Sequence, residues 1–446
     1  MTPAKDDLWF LPLGGTGEIG MNLNLYGHDG CWLMVDCGIT FSAPGIAGPN
    51  NISRVQMPDP EFIAGRAGQL CALLITHAHE DHVGAVADLW PRLRCPVYCT
   101  AFCASILRRK LAEAGLLETV PVHVVMPDTS ARYGVFDVQW LGVTHSTPQS
   151  QGLFIQTPVG NVFHTGDWKL DDNPVVGHNI NTNQLRGIGQ QNVLAMVCDS
   201  TNALVPGRSV SEGALYPNLY AHIAAARGRV VVGCFGSNIA RVQTLAAVAR
   251  AAGRYPALLG RSLHNYYQAA VAANIWDPDL TLIQSSHLGY LPPDEVLAIA
   301  TGSQGEPRTA LRKLVADSHP DLTLQAGDML LLSSRVIPGN EVVVEGLIAQ
   351  FEQKGLQVVC DDDSRRPIHA SGHPASDELA DMYRWIKPQI AIPVHGEVPH
   401  MQANAQVAKA ACVPKQMLGT NGDLFMLAPQ PGIRRAAAHV GRLARR

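Results

Sequence analysis

The chain is short of charge. Only 16% of its residues are Asp, Glu, Lys or Arg, and the formal sum is −4. Whole-molecule basicity therefore does not point to nucleic acid, and a polyanionic substrate must be drawn in by metals and a local pocket. Long apolar runs are missing too; none approaches the roughly 20 residues of a membrane span. Met1 to Asp7 carries no apolar signal-peptide core, so the expected location is cytoplasmic, with no membrane partner. The 10 cysteines are scattered, which excludes a disulfide framework. Cys37, Cys71, Cys198, Cys234 and Cys360 fall in apolar runs and read as buried thiols. Cys95, Cys99 and Cys103 are spaced by four, but a strand-to-helix transition runs through them and no metal is expected there. There are no internal repeats and no low-complexity tract.

What is present is a chain of 446 residues, 46% hydrophobic, long enough for two or three domains and a large core. Its densest chemistry is Thr76-His77-Ala78-His79-Glu80-Asp81-His82, an H-x-H-x-D-H cluster. The apolar run Cys71 to Ile75 precedes it and a helical pattern from Val83 to Trp90 follows. The cluster thus sits between a buried strand and a helix N-terminus. His77 and His79 share a face while the loop is extended, whereas Asp81 and His82 come after the turn and face from the other side. A set split this way suits two adjacent metals rather than one.

Asp7 to Leu13, Met21 to Tyr26 and Cys31 to Val35 read as antiparallel strands, with a hairpin turn at Gly27-His28-Asp29-Gly30. After Pro206-Gly207-Arg208 the pattern changes to regular β-α alternation, which implies a parallel sheet with helices on its faces. Metal-type residues resume between His369 and His395. The expected organisation is a catalytic domain over 1–205 and 366–430, interrupted by an α/β domain over 206–365. A basic tail over 431–446 is expected to be a solvated helix or disordered, with contact to RNA as the alternative.

Gly15-Thr16-Gly17-Glu18-Ile19-Gly20 matches a dinucleotide fingerprint, with Asp36 21 residues after Gly15. The context fails: the 15 residues between Gly20 and Asp36 hold a hairpin turn and Asn-Leu-Asn-Leu, which leaves no room for the required helix. Glycines for tight turns beside a metal site are the better account.

Elsewhere the chain repeats one device, an apolar strand ending in a ligand-type residue. Val138 to Val143 ends at Thr144-His145, Val162-Phe163 at His164-Thr165-Gly166-Asp167, Leu194 to Cys198 at Asp199, and Ile390 to Val394 at His395. With these the sequence resembles the metallo-β-lactamase fold and, within it, the β-CASP nucleases of the ribonuclease J family. Further motifs carry the resemblance: Asp199-Ser200-Thr201-Asn202, Gly302-Ser303-Gln304-Gly305-Glu306-Pro307, Ile337-Pro338-Gly339-Asn340-Glu341, His369-Ala370-Ser371-Gly372-His373 and Pro393-Val394-His395-Gly396-Glu397. It runs from Leu13 to Asp423 and implies an αββα sandwich with an inserted α/β β-CASP domain.

The resemblance also implies roles. His77, His79 and His145 hold one zinc; Asp81, His82 and His395 hold the second; Asp167 bridges them. Imidazole and carboxylate suit Zn²⁺ or Mn²⁺ better than Mg²⁺. Asp199 is either a direct ligand or, by preference, the partner that orients a histidine, and Asp36 braces the site. His164 is either part of the site or a packed strand-end histidine. Ser371, Gly372 and His373 hold the scissile phosphate, His373 protonates the leaving oxygen, and His369 assists. Pro374 is read as opening the helix Ala375 to Ile386, whose first amides form an anion site. In the inserted domain Ser237, Ser262, Ser334 and Arg335 are expected to recognise an RNA 5′ monophosphate.

Two departures stand out. Family members commonly carry a further C-terminal domain, which bears on the expected homodimer and on internal cleavage. Gln149 replaces a usual acidic residue, with tuning rather than loss expected. The implied function is 5′→3′ exonucleolytic and some endonucleolytic cleavage of RNA in maturation and decay, with other RNA-decay proteins as partners. The rivals are a same-fold hydrolase of a small ester or lactam, and a non-catalytic RNA-binding subunit.

Overall fold

The computed structural model describes residues 1–41, 55–337, 339–361 and 366–445. Pro338 and Arg446, which belong to the stretches singled out above, lie outside the described residues. Strand Leu8–Gly14 shows how the centre of the molecule is built. It is buried throughout because both its faces are covered. Leu8 and Phe10 enter one core, while Trp9, Leu11 and Leu13 enter another on the opposite face.

Among the described residues this strand belongs to an eight-stranded sheet. Its neighbours are Leu23–His28 and Leu424–Ala428, and the sheet continues through Cys31–Val35 and Leu70–Leu74. The chain reverses between Leu23–His28 and Cys31–Val35 at Asp29-Gly30, both with positive φ, so the hairpin turn is tighter than its glycines suggested. A seven-stranded sheet faces it, with Ile390–Val394, Val193–Asp199, Gly160–His164, Gln151–Thr157 and Phe136–Gly142 in consecutive order. Phe10, Tyr26, Leu74, Trp140, Ile155, Val197 and Ile392 fill the space between the sheets with 0% exposure. Each such side chain contributes roughly 1.5–3 kcal/mol by leaving water. Helices Thr182–Gly189 and Ser376–Ile386 close the outer face of the second sheet through Leu185, Ile188, Leu379 and Met382. Helices Val86–Leu93 and Ala101–Glu113 close the first. The result is the helix–sheet–sheet–helix sandwich.

The inserted region forms a five-stranded, all-parallel sheet in the order Tyr255–Leu259, Val296–Ala300, Val230–Gly233, Met329–Leu332, Gln357–Cys360. Its first strand in sequence is central, so the chain winds to one side and then the other. Ligands of such sheets bind at the carboxyl ends of the strands, where the winding changes direction.

The glycine fingerprint after Leu8–Gly14 opens no helix. Gly15, Gly17 and Gly20 all have positive φ, and Gly15 O accepts the His395 amide at 2.6 Å. The tail also departs from expectation. Gly432–Arg434 adds a strand to the first sheet and Arg442–Ala444 pairs with Val55–Pro58. Arg435 meets Asp423 at 2.6 Å, Arg445 meets Asp88 at 2.7 Å, and Arg442 pairs with Glu18. Acidic partners outside the tail pair with these arginines, and the described part of that stretch forms strands docked on the domain, while Arg435 and Arg442 stay more than half exposed.

Candidate metal centre

Strand Leu70–Leu74 delivers the histidine cluster to its carboxyl end, where a second stretch pins it. The amides of Asn22, Cys37 and Ile39 donate to the carbonyls of Asp81, His82 and Glu80 at 2.9, 2.7 and 3.0 Å. Gly38 lies beneath the loop: a Cβ there would come within 1.7 Å of Asp81 O. His79 precedes the short helix Glu80–Val83, and this turn parts His77 and His79 from Asp81 and His82. Glu80 turns away to Lys110, 2.6 Å distant.

Three imidazole nitrogens meet on one side. His79 Nδ1 lies 3.1 Å from His77 Nε2 and 3.0 Å from His145 Nε2. The other nitrogen of each ring has a partner. His145 Nδ1 donates to Gly372 O at 2.6 Å. His77 Nδ1 faces Thr76 Oγ1 at 3.0 Å, and that hydroxyl gives its own proton to Asp36 at 2.9 Å. His79 Nε2 faces Ser237 Oγ at 3.1 Å. Gly372 O, which only accepts, and Thr76 Oγ1, whose own proton goes to Asp36, place the outer protons of His145 and His77; with Ser237 Oγ accepting from His79 in the same way, three lone pairs turn inward. Lone pairs that close repel unless a cation sits among them. Nitrogens bound tetrahedrally at about 2.0–2.1 Å stand roughly 3.3–3.4 Å apart, close to the spacing here.

On the other side, His82 Nδ1 donates to Asp36 Oδ2 at 2.7 Å, which aims Nε2 at Asp81 Oδ2 (3.5 Å) and Asp167 Oδ2 (3.2 Å). His395 completes the group, with Nε2 3.5 Å from Asp81 Oδ2 and Nδ1 3.4 Å from Asp167 Oδ1. Asp167 Oδ2 is also 3.8 Å from both His77 Nε2 and His145 Nε2, so one carboxylate reaches both groups. The two sets, His77-His79-His145 and Asp81-His82-Asp167-His395, each gather enough donors to hold a divalent cation. Imidazole nitrogen with carboxylate oxygen fits zinc or manganese.

The two sides differ electrostatically. Burial pushes His79 down to about 4 against the pull of Asp81 and Asp167. Burial, then neighbouring rings, holds His77 and His145 well below the ordinary imidazole value. All three are therefore neutral near pH 7, the form that ligates. For His82, burial opposes charge, but Asp167, Asp81 and Asp36 raise it well above the ordinary value. Burial likewise resists ionisation of Asp81 and Asp167, yet the facing histidines hold both well below the usual carboxylate range. Asp36 and His395 adopt φ of 65° and 51°. This left-handed backbone costs roughly 1–2 kcal/mol per residue without glycine, strain stored at the site.

His373 stands beside the first group, its Nδ1 2.8 Å from Asp199 Oδ2 and 3.9 Å from Asp167 Oδ2. The other oxygen of Asp199 accepts from Thr201 N and Oγ1, both at 2.8 Å. Asp199 thus acts on the site through His373. Burial lowers His373, but Asp199 and then Asp167 outweigh it and lift it to about 9. Ser371 Oγ accepts from Asn202 Nδ2 at 2.8 Å. A Cβ on Gly372 would lie 2.7 Å from His145 Cε1, so glycine lets this segment press against the ring. His369 keeps a buried Nδ1 without a hydrogen-bond partner.

The helix after this segment corrects one expectation. It begins at Ser376, leaving Pro374 outside. Its amides are already used: Ala375 N donates to Glu378 Oε2 at 2.8 Å, Ser376 N to Val205 O at 2.9 Å and Asp377 N to Gly207 O at 3.0 Å. The chain fills its own anion site. The four inserted-domain residues also fall into two places. Ser237 touches His79, and Ser262 adjoins Gly236 in the same loop cluster. Ser334 and Arg335 instead line a separate cavity of about 270 Å³ with Ser303, Val336, Cys360 and Asp361.

His164 joins neither metal group; its Nδ1 meets Tyr26 Oη at 2.9 Å, and burial takes it down to about 4. Gln149 Oε1 accepts the Phe102 amide at 3.0 Å, capping helix Ala101–Glu113. Asn22 escaped sequence reasoning. Its Nδ2 donates to Asp81 O at 3.1 Å and lies 3.1 Å from His82 Nε2 and 3.3 Å from His395 Nδ1. Amides alternating with leucines in a buried strand were the available signal.

The chain matches three protein families in turn: the metallo-β-lactamase superfamily over residues 20–180, the ribonuclease J β-CASP domain over 227–351, and the Zn-dependent metallo-hydrolase RNA specificity domain over 364–417. It is 42% identical over 430 residues to ribonuclease J of Sinorhizobium meliloti, covering 96% of this chain and 75% of that protein. Against ribonuclease J of Mycolicibacterium smegmatis the identity is 38%, over 94% of this chain and 74% of the other. A crystal structure of a protein of unknown function from Enterococcus faecalis V583 shares the fold, with TM-score 0.62, 16% identity and coverage of 94% and 100%. Spanning all three domain families and most of the length of these relatives, the chain belongs to the ribonuclease J family.

Proposed function

We propose that the chain is a two-metal phosphodiesterase of RNA. It degrades 5′→3′ from a monophosphorylated end with some internal cleavage, in the cytoplasm, as a homodimer that uses zinc or manganese. The observation that carries the reading is the Asp167 carboxylate within 3.8 Å of donors in both groups. Its family membership and its match to an RNA specificity domain favour RNA over a small ester or lactam.

The His77-His79-His145 and Asp81-His82-Asp167-His395 groups would hold a pair of cations, which would supply a lowered pKa for water, toward about 7, and neutralisation of phosphoryl charge. The side chains do the rest. Asp167 holds the two groups in register. Thr76, Ser237 and Gly372 keep inward lone pairs on His77, His79 and His145. His373, charged and held at Nδ1 by Asp199, keeps a proton at Nε2 for the leaving oxygen. Ser371 and Gly372 place the phosphate beside it. Ser334 and Arg335 receive the 5′ phosphate in their cavity.

The test is metal analysis with a time course on 5′-labelled RNA bearing one or three phosphates, with Asp81→Ala as control. Two metals per chain and faster loss of the monophosphorylated RNA are expected. Lactone or nitrocefin turnover without RNA decay, or RNA binding without turnover, would sink the reading.

A further inference from the structure

We propose that Ser237, in the inserted domain, is a positioning residue for the cation held by His77, His79 and His145. Docking of the inserted domain and occupancy of that half of the centre are then coupled. The inference rests on the two-cation reading above.

Each ring in this group takes its setting from a different place. Thr76 sets His77 from within the metal loop, and Gly372 sets His145 from the returning catalytic segment. His79 is set from the inserted domain, by the 3.1 Å contact of its Nε2 with Ser237 Oγ. Ser237 Oγ, accepting from Nε2–H, holds the proton on the ring's outer side; among the described residues no second hydrogen-bond partner of that nitrogen takes its place if Ser237 withdraws. The competing tautomer puts N–H at Nδ1, aimed into the group where a lone pair is needed.

A second contact reinforces the first. Tyr266 Oη, on helix Arg261–Ala272, donates to Ala78 O at 3.2 Å. The inserted domain thus grips the metal loop at two successive residues. Ser237 itself is firmly seated. It lies in the loop after the central strand Val230–Gly233, and the next residue, Asn238, caps helix Ile239–Ala251 by accepting the Arg241 amide at 2.9 Å. Arg241 is 0% exposed. Its guanidinium pairs with both oxygens of Glu212 at 2.5 and 3.0 Å and donates to Ser333 Oγ at 2.6 Å. The loop is therefore locked to the connection that leads into the inserted domain. A rigid acceptor of this kind transmits domain position to ring orientation. Linkage requires the reverse too: a cation that favours the correct tautomer favours docking by the same factor.

The experiment uses the full chain, comparing wild type with Ser237→Ala and Ser237→Thr. Zinc content is measured after equilibration against a graded chelator, and amide exchange across Cys234 to Asn238 is followed with and without zinc. Ser237→Ala is expected to release one of two cations at roughly 10–100-fold lower chelator strength, with the other retained. Ser237→Thr, which keeps the hydroxyl, should hold both. Zinc should slow exchange in the loop of wild type more than in Ser237→Ala. Retention of both cations by Ser237→Ala at wild-type strength overturns the inference alone. Joint loss of both also overturns it, because the effect is then not confined to one group. A wild-type chain that binds neither zinc nor manganese overturns the two-cation reading itself.

Discussion

Three neutral rings form the half of the centre made by His77, His79 and His145, while carboxylates crowd the half made by Asp81, His82 and His395. The neutral half selects by geometry, since its rings are oriented from three separate parts of the chain. The acidic half selects by charge: Asp36, Asp81 and Asp167 surround one imidazole and hold it protonated well above its ordinary value. A cation entering there displaces that proton, so uptake on this side should be more sensitive to acid. Asp167 belongs to both regimes.

The largest effect is expected from removing what the halves share. Asp167→Asn should weaken both cations and reduce RNA cleavage by several kcal/mol of transition-state stabilisation, roughly 10³-fold. Metal counting alongside single-turnover rates checks this; loss from one half only would show that the carboxylate does not bridge.

A smaller change should separate the halves. Asp36→Asn removes the anion behind His82 Nδ1 and weakens the acidic half about 10–100-fold. Chelator competition read as two successive losses would reveal it. Because Asp36 also accepts from Thr76, some weakening of the neutral half should follow, and its size measures how far the two are wired together.

The least effect concerns the edge of the neutral half. His373 is raised to about 9, so its pairing with Asp199 stabilises the fold fully below the unfolded imidazole value near 6.5 and fades as pH rises through about 9. The difference in thermal midpoint between chelator-treated wild type and Asp199→Asn should be greatest near pH 6 and shrink by pH 10. A difference that grows with pH would contradict the pairing. His373 is about a fifth exposed (21%), which tempers the size of the shift.

The strands and the inserted α/β block were legible because hydrophobic patterning is dense and local, while the sandwich itself was implied by the family resemblance. Apolar runs end at His145, Asp167, Asp199 and His395, and the alternation after Arg208 has the period of a parallel sheet. Of the seven side chains now drawn together, His77, His79, Asp81 and His82 stood in one dense cluster and His145, Asp167 and His395 at strand ends, and the family resemblance joined them into one set. Their outer partners were not. Asn22 looked like strand filler, and Ser237 looked like a phosphate binder, because side-chain direction across two domains is set by packing rather than local sequence. The docked tail and the filled helix end at Ala375 share this cause: Glu18, Asp88 and Val205 are distant in sequence from what they satisfy.

Position 38 has a consequence of its own. A hydrogen atom is all that separates the stretch after Asp36 from the carbonyl of Asp81. Any methyl group placed there would lift the loop bodily, pulling His79 and His82 off their targets together, so this small gap sets the tolerance of both donor groups at once.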